Sequence, residues 1–320
     1  MKKKIVIILA MILLLTSGCT KYVTDGDKKR IVNEETGQVL TSNILCLPEK
    51  TTKDGKENKL YKTYEEYEKY LDVKLKDLPD CSKMKIYSKK AYKGLWDGLF
   101  VRPLGVGIIQ LGKAVGNYGL SVMIIGLLIR VVLLPLSIKA AKQSTNMQAA
   151  QKDMERIEKK YANRTDKDAV MQKSQETMAV YQKYGINPMS SCLTSFIQLP
   201  IFFAFLEAIN RVPAIFDNDF LVFQLGTNPL IGIQHGNYWY ILLIVLIVGS
   251  TAFSLLGNMG AMKGNSTQMN QSKYMMILMI VFIGIASIQL PSAIALYWIV
   301  TNLFSAVQTV IVKRSSKNER

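Results

Sequence analysis

The amino-acid sequence predicts an all-α membrane protein with five transmembrane helices, a cytoplasmic helical hairpin and a polar groove open to the cytoplasm. Three observations predict it. Of 320 residues 49% are hydrophobic although the formal net charge is +16, a combination that fits apolar spans joined by basic loops better than a soluble core. The lysines and arginines concentrate between the apolar blocks, and most heavily in one stretch. Inside the blocks, the serines, threonines and glutamines gather in one half of each span.

The chain opens MKKKIVIILAMILLLTSGC, with three lysines, an apolar run from Ile5 to Leu15 and small residues before Cys19. This is the pattern of an export signal, residues 1–18, whose apolar core is short for a span. The ending LTSGC resembles the lipobox of bacterial lipoproteins, with Thr16 where leucine is usual, so Cys19 is expected to be lipidated. Residues 19–90 form an extracellular polar segment. Within it YKTYEEYEKYLDVKLKDLP reads as a short charged helix stopped by Pro79. Cys46 and Cys81 both lie outside the membrane, where a disulfide persists, whereas Cys192 at the start of a span reads as a small buried hydrophobe. Residues 91–116 mix aromatics, glycines and isolated charges, which suggests an interfacial amphipathic segment broken near Pro103. Their glycines lack a P-loop lysine and a strand context, so phosphate binding is set aside.

The core spans 117–312, and its first stretch, Asn117 to Lys139, carries Arg130 nine residues before its end. Counted along a straight helix, that places the arginine backbone about 13 Å inside the rim. An ionised side chain there costs at least about 2.5–3.5 kcal/mol. Gly119, Gly126, Arg130 and Ser137 recur at heptad-like spacing, so the arginine is expected on a face that small residues leave open. A structural ion pair is the competing reading, but no other span carries a central Asp or Glu.

Residues 140–190 are charged, with helical periodicity. Met147, Met154, Ile157 and Tyr161 mark one face, Met171, Met178 and Tyr181 another, and Asn163 to Asp166 the turn, so the stretch reads as an antiparallel helical hairpin. Its methionines fill the seam or offer an adaptable apolar surface. Its many lysines and arginines contrast with the loop Asn210 to Asn237, where Arg211 alone is basic, which puts the hairpin in the cytoplasm. The remaining spans, near Ser191–Ile209, Tyr238–Leu256, Tyr274–Ile288 and Ser292–Val312, alternate in direction. The basic tail 313–320 then ends inside, so the protein is expected in the cell membrane with its N-terminus outside and its C-terminus cytoplasmic.

Ser195 and Gln198 share the inner half of the second span with Ser191, and Thr251 and Ser254 share the inner half of the third with Ser250. Tyr297, Thr301, Ser305 and Gln308 form a stripe at i, i+4, i+8 and i+11. With Arg130 they describe a cavity wet from the cytoplasm and sealed outside. A half-channel of that kind does not conduct, but it lowers the barrier to bringing a polar segment part-way into the membrane, and Arg130 attracts acidic residues there. Neither a catalytic Ser/His/Asp set nor metal-ligand spacing is present, and His235, the one histidine, falls in an outer loop. No enzyme, cofactor or metal is therefore expected. The basic excess also lacks zinc-ligand spacing and aromatic interleaving, so no specific nucleic-acid sequence is expected as a partner. The alternative to a peptide groove is a polytopic transporter or permease subunit binding an anionic solute through Arg130.

Three blocks, GNYGLSVMIIGLLIRVVLLPLSIK, YQKYGINPMSSCLTSFIQLPIFFAFLEAI and LPSAIALYWIVTNLFSAVQ, occur in the order seen in the YidC/Oxa/Alb membrane protein insertases, which the chain resembles in their Gram-positive lipoprotein form. The resemblance covers about Leu95 to Lys313. It implies a five-span insertase and chaperone with a groove arginine at Arg130, and a slide for nascent spans along the second and fifth helices, where the family's tryptophan falls on Trp298. The expected partners are nascent membrane proteins, the Sec translocon, the ribosome or signal recognition pathway, and membrane lipids. The third span departs from the family, with STAFSLLGN where a glutamine is often found, so Thr251 or Ser254 stands in. The outer segment Thr20 to Lys90 has no family counterpart.

Overall fold

A computed structural model describes residues 20–33, 36–52, 55–86, 94–164, 166–259 and 267–318. The expected signal segment 1–18 and Cys19 lie outside the described residues, as do the boundary between the outer and interfacial segments near residue 90 and the last two residues of the tail. The described chain is predominantly helical and divides into two units. Helices that cross the membrane by the sequence reading contribute residues to both.

The first unit holds residues up to Gly126, Gln198–Val245 and Ala286–Trp298. Its N-terminal part is a small folded domain rather than a merely polar segment. Isolated antiparallel bridges, Tyr22 to Thr41, Thr24 to Arg30 and Val32 to Val39, surround a core of Val23, Leu40, Ile44, Leu60, Tyr64, Leu75 and Phe216. Helix α1 (Lys59–Glu66) is capped by the Asn58 side chain, which accepts from the Leu60 N–H at 2.8 Å, and its Leu60 and Tyr64 face the core. It does not run on to Pro79. The chain leaves the helix at Tyr67 because Glu68 Oε1 accepts from Leu75 N–H at 3.0 Å and Asp72 N–H binds Ser42 O at 3.0 Å. These non-local bonds fold the segment back in two short 3₁₀ turns.

Residues Asp97–Val115 are continuously helical, a π turn over Asp97–Val101 leading into α2 (Arg102–Val115). Pro103 does not break this helix. It follows directly on the π turn, whose last bond runs from Arg102 N–H to Asp97 O, so the proline stands where the wider turn hands over to the α-helix. By length and composition this segment passes as a membrane-crossing helix, as does Ser292–Val312. Gly116, at φ 73°, ends α2 in the left-handed region. Helix α3 (Tyr118–Val132) then packs back on it, with Ser121 Oγ donating to Ile108 O at 2.7 Å. After α3 comes a one-residue break at Leu133 and then α4 (Leu134–Lys160), bent from α3 by 65°.

The second unit comprises Leu127–Ile197, Leu246–Ile285 and Ile299 onward. Within it α4 and α5 (Lys167–Lys183) form an antiparallel hairpin with a core of Ala150, Ile157, Tyr161, Ala169, Val180 and Ile186. Asp166 caps α5, accepting from Ala169 N–H at 3.0 Å. The remaining elements are α6 (Pro188–Arg211), the short α7 (Pro213–Phe216), a two-stranded antiparallel hairpin β1 (Asp219–Phe220) and β2 (Phe223–Gln224), and α8 (Pro229–Gln234). Three long helices follow, α9 (Trp239–Met259), α10 (Thr267–Ser287) and α11 (Ser292–Asn318). The basic tail continues α11 as helix to Asn318 instead of starting a separate segment after Val312.

Candidate functional site

Arg130 lies in the last turn of α3 and is half-buried. The straight helix assumed from sequence, running to Lys139, is not what forms. Pro135 has no N–H to give Val131 O, and its ring would strike that carbonyl, so the helix ends at Val132 and restarts at Leu134. Arg130 is therefore near a helix end, not nine residues inside one. At Gly119, eleven residues before Arg130, a Cβ would meet the Phe220 side chain at 2.5 Å, so that glycine admits a packed ring.

In the second unit, the polar residues of α11 reach two neighbouring helices. Asn302 Nδ2 donates to Thr251 Oγ1 on α9 at 2.8 Å, and Gln308 Nε2 donates to Ser137 Oγ on α4 at 2.8 Å. Thr251, Ser254 and Thr301 are buried, while Ser305 and Gln308 are half-buried. Ser305 Oγ gives its proton to Thr301 O at 2.9 Å and Thr309 Oγ1 gives its own to Ser305 O at 2.9 Å. Those hydroxyls therefore bond back to their own helix. Sequence reasoning passed over Asn302, an amide in the middle of an apolar run that needs a partner across helices.

In the first unit, Gln198 Nε2 donates to the buried Tyr297 hydroxyl at 3.1 Å, and Tyr297 stacks on Phe205 with ring centroids 4.2 Å apart. Trp298 is half-buried and sets its ring edge-on to Phe202 at 5.0 Å. The backbones of Ser191, Cys192 and Ser195 lie in α6, and their side chains are outside the described residues.

A second charged centre in the first unit escaped the sequence reading, which saw Arg211 only as the one basic residue of its loop. Arg211 Nη1 and Nη2 bind Asp97 Oδ1 and Oδ2 at 2.6 and 2.8 Å, Nη1 also reaches Glu207 Oε2 at 3.1 Å, and Nε donates to Asn43 O at 3.0 Å. Trp96 Nε1 donates to Glu207 Oε1 at 3.1 Å. The available signal was Glu207 standing four residues before Arg211 on a helix. Every oxygen and nitrogen in this set points at another member or at backbone, so its work is to fix the N-terminal domain to α6 and to the Trp96–Val101 turn.

The helical hairpin carries two ionic clasps. Asp153 accepts from Lys183 Nζ at 2.7 Å and Tyr184 Oη at 3.1 Å, and Glu176 accepts from Lys160 Nζ and from Tyr161 Oη at 2.9 Å. Hydrogen bonds from Lys183 and Tyr184 hold the Asp153 carboxyl below the usual carboxylate range, and those from Lys160 and Tyr161 do the same for Glu176. Met147, Met154, Ile157 and Tyr161 pack in the seam. Met171 and Met178 do not, being 58% and 55% exposed. On α5 the buried positions are Ala169 and Val180, a seam of smaller side chains that turns both methionines outward.

Among the described residues no group of histidines, cysteines or carboxylates has the arrangement of a metal site. Cys46 and Cys81 sulfurs are at bonding distance, 2.07 Å.

The family model described as 60Kd inner membrane protein matches residues 110–319. The membrane protein insertase MisCA of Bacillus subtilis is 37% identical over 237 residues, 74% of this chain and 86% of its own. The membrane protein insertase YidC of Alkalihalophilus pseudofirmus is 40% identical over 222 residues, 68% of this chain and 81% of its own. Among solved structures, an active YidC insertase with its first transmembrane domain resolved matches with a TM-score of 0.50 at 24% identity, over 68% of this chain. This chain spans 47% of that protein, and the likeness speaks for the fold alone. The match over two thirds of the chain, with relatives aligned along most of their length, makes this chain a membrane protein that belongs to the YidC/Oxa/Alb family of membrane protein insertases.

Proposed function

We propose that this chain inserts membrane proteins and chaperones them without enzymatic chemistry, receiving nascent spans against a polar surface that contains Arg130. The observation that carries the reading is a half-buried guanidinium at the end of an apolar helix, in a unit whose α9, α4 and α11 also carry Thr251, Ser254, Ser137, Thr301, Ser305 and Gln308. Such groups solvate the polar part of an entering segment, so the segment sheds bulk water in stages. No bond is made or broken, and the step needs no cofactor. On the family resemblance Gln198, Trp298 and Ser195 are also assigned to contact with nascent spans, the tryptophan as an apolar rail for a passing helix.

In this reading residues 117–312 are a five-span core, residues 91–116 lie along the outer membrane surface, and the lysine-rich hairpin faces the cytoplasm. The N-terminal domain is outside, anchored through lipidated Cys19 and stapled by Cys46 and Cys81. The exposed Met171 and Met178 favour the hairpin as an adaptable surface for apolar client segments. The Sec translocon and the ribosome or signal recognition pathway are assigned as partners on the family resemblance.

Photo-crosslinkers at Thr301 and Ser254, read during translation of a stalled membrane-protein chain, test the reading. Adducts with the nascent span are expected at both positions and absent from a crosslinker at Val281, exposed on α10. Absence of nascent-chain adducts from Thr301 and Ser254, with the protein folded, would overturn it.

A further inference from the structure

The two-residue turn between β1 and β2 is built around an oddly placed leucine. Leu221 has φ 56°, and it is the first loop residue of a hairpin registered Asp219 to Gln224 and Phe220 to Phe223. Glycine is the customary residue at that position, because a left-handed backbone crowds any Cβ. A leucine there carries strain, and its side chain is 80% exposed. Val222 beside it is 48% exposed. A strained and largely exposed apolar residue points to an outside contact.

The place of the turn says what that contact is. Phe220 packs on Gly119 in the first turn of α3. Asn237 Nδ2 donates to Val222 O at 2.9 Å, Tyr240 Oη accepts from Gln224 N–H at 3.1 Å, and the Phe223 and Tyr240 rings meet edge to face at 5.3 Å. The turn is thus fastened to the starts of two apolar helices, α3 and α9. At the start of α9, Tyr238 and Trp239 are 69% and 59% exposed, and Ile241, Leu242 and Val245 continue an exposed apolar face down the helix. Exposed tyrosine and tryptophan at the head of an apolar helix mark the level of the lipid headgroups. Leu221 and Val222 stand at that level, continuous with the lipid-facing surface of α9.

We propose that the Leu221–Val222 turn is a lipid wedge, inserted into the boundary between headgroups and acyl chains beside Tyr238 and Trp239. From Val212 to Asn237 the sequence holds neither lysine nor arginine, and Asp217 and Asp219 are acidic. The wedge is therefore held by apolar burial and not by attraction to anionic headgroups. Asp219, exposed two residues before the leucine, limits its depth. The wedge fixes the outer loop at a set height on the bilayer, and it stands whether or not the insertase reading does.

The test places an environment-sensitive fluorescent amino acid at 221 in the full chain, by stop-codon suppression, and reconstitutes the protein in phosphatidylcholine vesicles. Quenching by lipids carrying a nitroxide high on the acyl chain is expected to be several-fold stronger at 221 than at 219. Quenching by aqueous iodide is expected to be several-fold weaker, with no change as salt is raised. A probe at Val222, where the backbone is not left-handed, gives the same reading if the turn does not accept the dye at 221. Equal iodide quenching at 221, 222 and 219 would place the turn in water and overturn the proposal. Protection from both quenchers would mean a protein covers the turn, and would overturn it equally.

Discussion

Arg211 grips Asp97 as a planar fork, Nη1 on Oδ1 at 2.6 Å and Nη2 on Oδ2 at 2.8 Å, with both residues buried. The pair joins α6 to the turn before α2, and through Asn43 O it holds the N-terminal domain. Removing one member of a buried ion pair strands the other charge, at a cost of about 3–5 kcal/mol. Arg211→Ala is expected to lower the melting temperature of the detergent-solubilised protein sharply. Arg211→Lys is expected to recover little of it, because an ammonium cannot hold both oxygens in the fork. Equal melting of Arg211→Lys and the native chain would show that the fork geometry is not what matters.

The hairpin seam separates two kinds of methionine. Met154 packs against the hairpin core, so Met154→Leu is expected to be nearly neutral, while Met154→Asp loses on the order of 1–3 kcal/mol by placing a polar group without a partner in an apolar contact. Met178→Asp, on the exposed face, is expected to change stability by less than about 0.5 kcal/mol. If it nevertheless weakens insertion at an unchanged melting temperature, the exposed methionines serve client segments. Loss of stability equal to that of Met154→Asp would mean the face is covered.

Both hairpin clasps set a direction for pH. The folded Asp153 and Glu176 carboxyls are depressed below their unfolded values by their lysine and tyrosine partners. Their contribution is therefore present above the unfolded carboxylate range, near about pH 4, and is lost as pH falls through the folded values. Amide protection in α4 and α5, taken relative to the intrinsic exchange rate at each pH, is expected to be level from neutral pH downward and to fall only below about pH 4. Asp153→Asn, which accepts no proton, is expected to remove part of that acid limb. An unchanged limb in the double variant Asp153→Asn, Glu176→Gln would assign it to other groups.

The helices, the hairpin and the family were legible because apolar blocks, basic clusters and three motif blocks are local patterns. What escaped depends on partners far along the chain or on backbone states. Asp97 lies 114 residues from Arg211, so only the Glu207 half of that set was visible. The end of α1 is set by Glu68 and Asp72 binding distant backbone. Pro135 was in plain view, but counting Arg130's depth along an unbroken helix ignored it. Ser137 and Asn302 needed the packing of α4, α9 and α11 to reveal their roles. Leu221 gives no turn signal at all, since the residue that normally announces a left-handed turn is glycine.

Lipidation at the N-terminus is tested by Cys19→Ser. That variant is expected to lose labelling by radioactive fatty acid and to retain residues 1–18, because in a lipobox the thiol is the acyl acceptor on which processing depends. The membrane-crossing helices of the core do not depend on the lipid, so insertion is expected to fall modestly. Processing that continues unchanged would rule out a lipobox.

Arg130 decides the mechanism. If it acts as a positive charge toward entering chains, Arg130→Lys keeps much of the activity, since the charge remains although the planar fork is lost. Arg130→Ala and Arg130→Glu are then expected to fail, and most for clients whose translocated segment carries Asp or Glu, because attraction between unlike charges strengthens away from bulk water. A purely structural arginine predicts the reverse pattern. Lysine would disturb its hydrogen bonds, and the loss would appear as less folded protein whatever the client. The discriminating measurement is insertion of one client, with and without its acidic residues neutralised, by the native chain and by Arg130→Ala at matched protein levels. Neutralising the client is expected to erase most of the difference between the two proteins. A difference that persists would remove charge attraction from the mechanism and leave solvation by Gln198, Thr301 and Gln308 as the source of the lowered barrier.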